Sequence, residues 1–144
     1  MINETITKFG YPDTLIREYE HWVVLLRPAQ VTLGSLIVAA KSDAQEFGDL
    51  SADHFSELKT VTTDVSAALK ELVSHRKLNW LMLMMVDPHV HFHLIPRYEG
   101  KREWEREIFE DKSWPSAPIL SDAIKLSDDQ ISGMASWLRS GFPD

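Results

Sequence analysis

Two spacings of apolar residues divide this chain. Near the N-terminus they come as short runs rich in β-branched and aromatic side chains, which predict strands over Thr14–Tyr19 and His21–Leu26, joined by a hairpin at Glu18–His21. A third run, Ser35–Ala40, opens after Gly34, closes at Lys41-Ser42-Asp43 and reads as a buried strand. The spacing then changes. From an N-cap at Ser51 to Leu72, the residues Phe55, Leu58, Val61, Val65, Leu69 and Leu72 recur at helical intervals, while Glu57, Lys59, Asp64 and Lys70 fall off the stripe. The unbroken apolar stretch Asn79–Val86 predicts a central strand covered on both faces, with Met82, Met84 and Met85 as core filling. His89–Ile95 alternates as a fifth strand. A polar segment follows from Tyr98 to about Leu126, and then Ser127 and Gln130 form a capping box for a C-terminal helix with Gly141 just past its end. This order predicts one α+β domain over 1–144: a mostly antiparallel five-stranded sheet, a long central helix and a short C-terminal one.

Composition narrows the function classes. At 44% hydrophobic and 26% charged residues, the chain is neither disordered nor fibrous. It has no cysteine, which excludes disulfides and thiolate metal sites and suits a reducing compartment. The first ten residues carry Glu4 and Lys8 around no apolar centre, so no signal peptide is expected. Asn79–Val86 is far shorter than the ~20 residues that span a bilayer, so no membrane partner is expected and a cytoplasmic location is. The net charge of −7 leaves no basic footprint for nucleic acid. Phosphate can be bound only by a local arrangement of donors, because distant charge is screened.

Half of the six histidines fall within residues 89–93. Alternation along a strand places His89, His91 and His93 on one face and Val90, Phe92 and Leu94 on the other, where they anchor the row in the core. Three readings are open. The first is a half-buried strand that happens to be rich in histidine. The second is a metal site, but His89 and His93 stand roughly 13 Å apart along a straight strand. Further ligands would have to come from the scattered His21, His54, His75 or Asp87. The third is covalent catalysis: a neutral imidazole attacks phosphorus, and its neighbours fix the tautomer and move protons. The middle residue, His91, has a helper on each side. Arg97, two positions past Ile95, is a candidate bidentate phosphate ligand. Trp104 and Trp114 are expected to pack locally or at a dimer interface, and residues 101–107, mixed in sign, to form a solvated face.

The run Asp87-Pro88-His89-Val90-His91-Phe92-His93-Leu94-Ile95-Pro96-Arg97-Tyr98 resembles the signature of the histidine-triad superfamily, and its bacterial branch akin to diadenosine polyphosphate hydrolases in particular. The strand after Gly34, Phe47-Gly48-Asp49-Leu50 before the long helix, and the strand before the motif extend the likeness over most of the chain. The resemblance implies a homodimer with this family's fold that cleaves a phosphoanhydride or phosphoramidate bond of a nucleotide or dinucleoside polyphosphate. His91 would carry the transient nucleotidyl group, with His89 and His93 orienting it and assisting the leaving group. No resident metal or covalent cofactor is implied; Mg2+ would arrive with the substrate. Ser35 stands where many relatives have histidine and is taken with Arg97 as a substrate contact. Ser42-Asp43 replaces a basic-histidine pair, and Met84–Pro88 is shorter than the family's Gly- and Gln-containing phosphate loop. Against these departures, a nucleotide-binding protein with weak catalysis is the alternative, ahead of a His-ligated metal protein.

Overall fold

In the computed structural model, which describes residues 1–144, a short helix α1 (Glu4–Lys8) precedes strands β1 (Leu15–Glu18), β2 (Trp22–Leu26), β3 (Ala29–Gln30) and β4 (Leu36–Ala40). Helix α2 (Ala52–Leu72) leads to β5 (Lys77–Leu81), β6 (His91–Arg97), β7 (Lys101–Trp104), β8 (Glu107–Glu110), β9 (Ile124–Lys125) and α3 (Asp128–Arg139). Five strands form the main antiparallel sheet in the order β1-β2-β4-β6-β5. The α+β expectation of a five-stranded sheet, a long helix and a short last helix is met. Both predicted caps are present: Ser51 accepts from the His54 amide, and Ser127 and Gln130 form the reciprocal box that opens α3.

The sheet is covered on both faces, which is why β2 and β4 read as apolar runs rather than as alternation. On one face Trp22, Val24, Leu36, Val38, Phe92 and Leu94 pack with Val61, Val65 and Leu69 of α2 and Leu138 of α3. On the other, Val23, Leu25, Ile37 and Ala39 meet Ile6, with Ile2, Phe9, Tyr11 and Leu15 around it. The first fifteen residues are therefore a cover over the face on which His91 and His93 lie.

The structure corrects three sequence readings. The apolar stretch Asn79–Val86 is not a central strand. Pairing covers only Lys77–Leu81, at the sheet edge and half-buried. Met84 then takes a left-handed backbone (φ 45), and Leu83, Met85 and Val86 reach solvent, the last two more than four-fifths exposed. Met82 does pack against the core, but Met85 does not. Apolarity marked this segment as burial-seeking without saying against what. Second, the polar segment contains the β7–β8 hairpin, turned by Glu105 and Arg106, both at positive φ. No Asn-Gly pair advertises that turn. Its Trp104 is buried against α3, where a Cβ on Gly133 would come within 3.3 Å of the indole. Third, Gly141 follows the Ser140 cap but does not adopt the left-handed conformation. Its role is close approach: a Cβ there would lie 2.9 Å from Leu72 and 3.1 Å from Ala68, so glycine lets the end of α3 close on α2.

Candidate active site

Strand β6 begins at His91, pairs with β4 (Ala39 opposite His91, Ile37 opposite His93), and turns both imidazoles away from the α2 side. The two rings stand 5.1 Å apart at 66°. Nδ1 of His91 lies 2.7 Å from the carbonyl oxygen of His89. A carbonyl only accepts, so Nδ1 carries the proton and the lone pair is on Nε2.

His93 is fixed in the opposite sense. Its Nδ1 accepts from Arg27 Nε at 3.2 Å, which places the proton of the neutral ring on Nε2. Burial, then the charges of Arg27 and His91, push its pKa down to about 4 from an ordinary 6.5. Because the folded ring takes a proton less readily than the unfolded one, its contribution to stability is complete above the unfolded value. That contribution is lost as the pH falls from 6.5 to about 4, by on the order of 2 kcal/mol. Urea unfolding across that window should show the loss, and His93→Gln should flatten the slope. An unchanged slope would refute the assignment.

His89 departs from the expected row. The chain leaves the ladder before β6: the Val90 amide donates to Ala44 and its carbonyl accepts from Ala40, while His89 sits in the preceding bend. Its carbonyl serves His91, and its ring Nδ1 bonds Thr5 Oγ1 at 2.9 Å. The rings of His91 and His93 are brought together, whereas His89 meets His91 through its backbone carbonyl and has its ring bonded to Thr5.

The N-terminal segment roofs the pair. Phe9 packs at 5.5 Å from the His91 ring and 5.9 Å from His93, leaving His91 only 1% and His93 8% exposed. Asn3 ties this roof to the Ala40 and Ser42 carbonyls, and Lys8 pairs with Asp87 at 2.6 Å.

Arg97 and Ser35 are corrected as substrate contacts. Arg97 is 3% exposed and all its nitrogens are engaged: two bonds to Asp111, one to Asn79 and one to Ser113. It lies six residues along β6 from His91, roughly 20 Å in an extended strand. Ser35 is fully buried, and its hydroxyl both donates to the Thr32 carbonyl and accepts from the Thr32 amide. Both hold the scaffold. Residues the sequence reading passed over take their place at the site: Thr5, Phe9 and Arg27. Arg27 had one signal, a charged residue ending a wholly apolar strand; Thr5 and Phe9 had none.

The histidine row does not present three converging ligand atoms for a metal. The side chains that do converge are Glu20, His21 and Glu57, whose ligand atoms lie within 4.8 Å of one another. There the His21 amide donates to Glu57 Oε1 at 2.8 Å, which accounts for the approach.

A model of the HIT domain family matches residues 8–100. No curated protein shows a sequence match. Among solved structures, a histidine triad protein from Sinorhizobium meliloti superposes with a TM-score of 0.75 at 21% identity, over 99% of this chain and 96% of that one. A histidine triad protein from Bradyrhizobium japonicum gives 0.68 at 24% identity, over 99% and 97%. The diadenosine triphosphate hydrolase of Plasmodium falciparum gives 0.65 at 11%, over 90% and 76%. At these identities the likeness is one of fold.

Proposed function

The chain belongs to the HIT domain family, whose members are generally nucleotide hydrolases or transferases, and from that premise we propose that it cleaves nucleotide phosphoanhydride or phosphoramidate bonds through a nucleotidyl group carried on His91. The observation that carries this reading is the hydrogen bond from His91 Nδ1 to the His89 carbonyl. It leaves Nε2 unprotonated and, as phosphorus bonds there, accommodates the positive charge that develops on the ring. In this reading, His93 Nε2–H and the His89 ring meet phosphoryl oxygens and the leaving group. Magnesium enters with a polyphosphate substrate. A cytoplasmic location fits a cysteine-free chain acting on nucleotides; no helix is long and apolar enough to cross a membrane.

The test is acid-quench trapping with labelled diadenosine polyphosphate or adenosine phosphoramidate, followed by mass spectrometry of the peptide spanning Asp87–Arg97. Label on His91 is expected. Nucleotide binding without turnover or adduct would replace hydrolysis by a binding role. Activity abolished by chelator and restored by zinc alone would favour a metal mechanism.

We propose also that the protein is a homodimer. The outer edge of β5 is unpaired, and beside it the chain exposes Leu83, Met85 and Val86, with Phe55 of α2 40% exposed and packed against Phe47. An unpaired edge with exposed apolar side chains near it is suited to a second copy of the same chain. Light scattering at micromolar concentration should give twice the chain mass, and Met85→Glu with Val86→Glu should shift it toward the monomer. A wild-type mass of 16.5 kDa would overturn the dimer.

A further inference from the structure

We propose that Arg27 is the anion subsite of this centre and that it selects phosphoanhydride substrates, whose leaving group is itself a phosphate, over phosphoramidates, whose leaving group is an amine. The inference rests on the hydrolytic reading above and narrows its substrate class.

Two arginines lie on or beside the histidine face, and they differ in one respect. Arg97 is neutralised by Asp111 and has no free nitrogen. Arg27, immediately after β2, is half-buried, donates from Nε to His93 Nδ1 and from Nη1 to the Ala29 carbonyl, and has no partner on Nη2. None of the ion pairs in the molecule includes it. A guanidinium keeps its charge at neutral pH even when burial lowers its pKa, as it does here. A half-buried cation without a counterion, one imidazole away from the nucleophile, is a place made for an anion.

The groups around His93 decide which anion. Arg27 faces it from the end of β2, His91 from β6, Phe9 from the roof, and Asp87 acts more weakly from the loop before β6. With its pKa held at about 4, His93 is neutral near pH 7 and donates a hydrogen bond without bringing a charge. In the proposed step, the Nε2 lone pair of His91 forms the N–P bond and the bridging P–O bond breaks. The electron pair stays on the bridging oxygen, which departs as a phosphate anion facing Arg27. Water then attacks phosphorus, the N–P bond returns its pair to Nε2, and one proton is released to solvent with the nucleotide product. A phosphate leaving group needs a countercharge and no proton. An amine cannot leave as its anion and needs a proton at the moment of cleavage, which a neutral His93 supplies poorly.

The experiment compares kcat and KM for diadenosine triphosphate and adenosine phosphoramidate in wild type, Arg27→Met and Arg27→Lys, with Arg27→Gln as a second neutral variant if Arg27→Met does not fold. Wild type should prefer the triphosphate. Neutral replacement should lower kcat on it by about 10²–10³-fold, the usual effect of removing one charge-stabilising donor, and change phosphoramidate turnover far less. Lysine should restore part of the loss, since it keeps the charge without the fork. Titration of His93 by NMR should move upward in the neutral variants. Equal losses on both substrates, or wild-type preference for the phosphoramidate, would overturn the proposal. If wild type turns over neither, the hydrolytic reading fails by itself, and calorimetry with inorganic pyrophosphate judges the subsite. Affinity that drops about tenfold or more without Arg27 supports it, and unchanged affinity refutes it.

Discussion

His91→Asn should abolish turnover and leave no trapped nucleotidyl adduct, while His89→Asn and His93→Asn each retain activity lowered by about 10²–10⁴-fold. The asymmetry follows from the bonds each ring makes. His91 has its Nδ1 proton committed to the His89 carbonyl and offers Nε2. His93 has its lone pair at Nδ1 engaged by Arg27 and offers a proton instead. In the proposed mechanism only the first forms a bond to phosphorus; the second orients and polarises. The fold should survive, because asparagine keeps an amide that donates to the same carbonyl and the core contacts of Phe92 and Leu94 are untouched. Label found on His89 or His93, or full turnover by His91→Asn, would defeat the assignment. An inactive variant with inverted stereochemistry at phosphorus in the wild type would make His91 a general base for direct water attack.

Asp111→Asn should be strongly destabilising. Its carboxylate accepts two bonds from Arg97 and one from the Tyr98 amide, with both side chains nearly inaccessible to water. Removing one partner of a buried pair costs about 3–5 kcal/mol, because the other charge is left without compensation. That is a large share of the roughly 5–15 kcal/mol by which domains of this size are stable. Thermal unfolding should fall by about 10 °C or more. Replacing both residues by apolar ones of similar volume should be milder than either single change. A shift within about 2 °C for Asp111→Asn would refute the account. Below its lowered midpoint the variant should keep the wild-type KM, which separates an anchor of β6 from a ligand of the substrate.

What was legible in the sequence was what neighbours in the chain decide. The stripe of α2, the caps at Ser51 and Ser127 and the apolar runs of β2 and β4 are local signals, and the structure has them, except that Phe55 at the start of the stripe is exposed. The β5 segment misled because an apolar run states a need for cover without naming what supplies it; here the loop after Leu81 is left uncovered in the single chain. Arg97 looked like a phosphate ligand because its partner, Asp111, is fourteen residues away across a hairpin whose turn carries no glycine. The candidate site divides the same way. The histidines were visible as a cluster, but Thr5 reaches His89 across 84 residues and Arg27 reaches His93 across 66. No spacing rule connects such pairs; the tertiary packing does.

The roof over the histidines has a practical consequence for anyone producing this protein. Asn3, Thr5, Lys8 and Phe9 form and fasten the cover over His91 and His93. An affinity tag fused ahead of Met1 therefore hangs from that cover, and trimming the first nine residues as an untidy leader strips it away. The opposite terminus, where Asp144 is exposed beyond α3, is the end on which a handle stays clear of that cover.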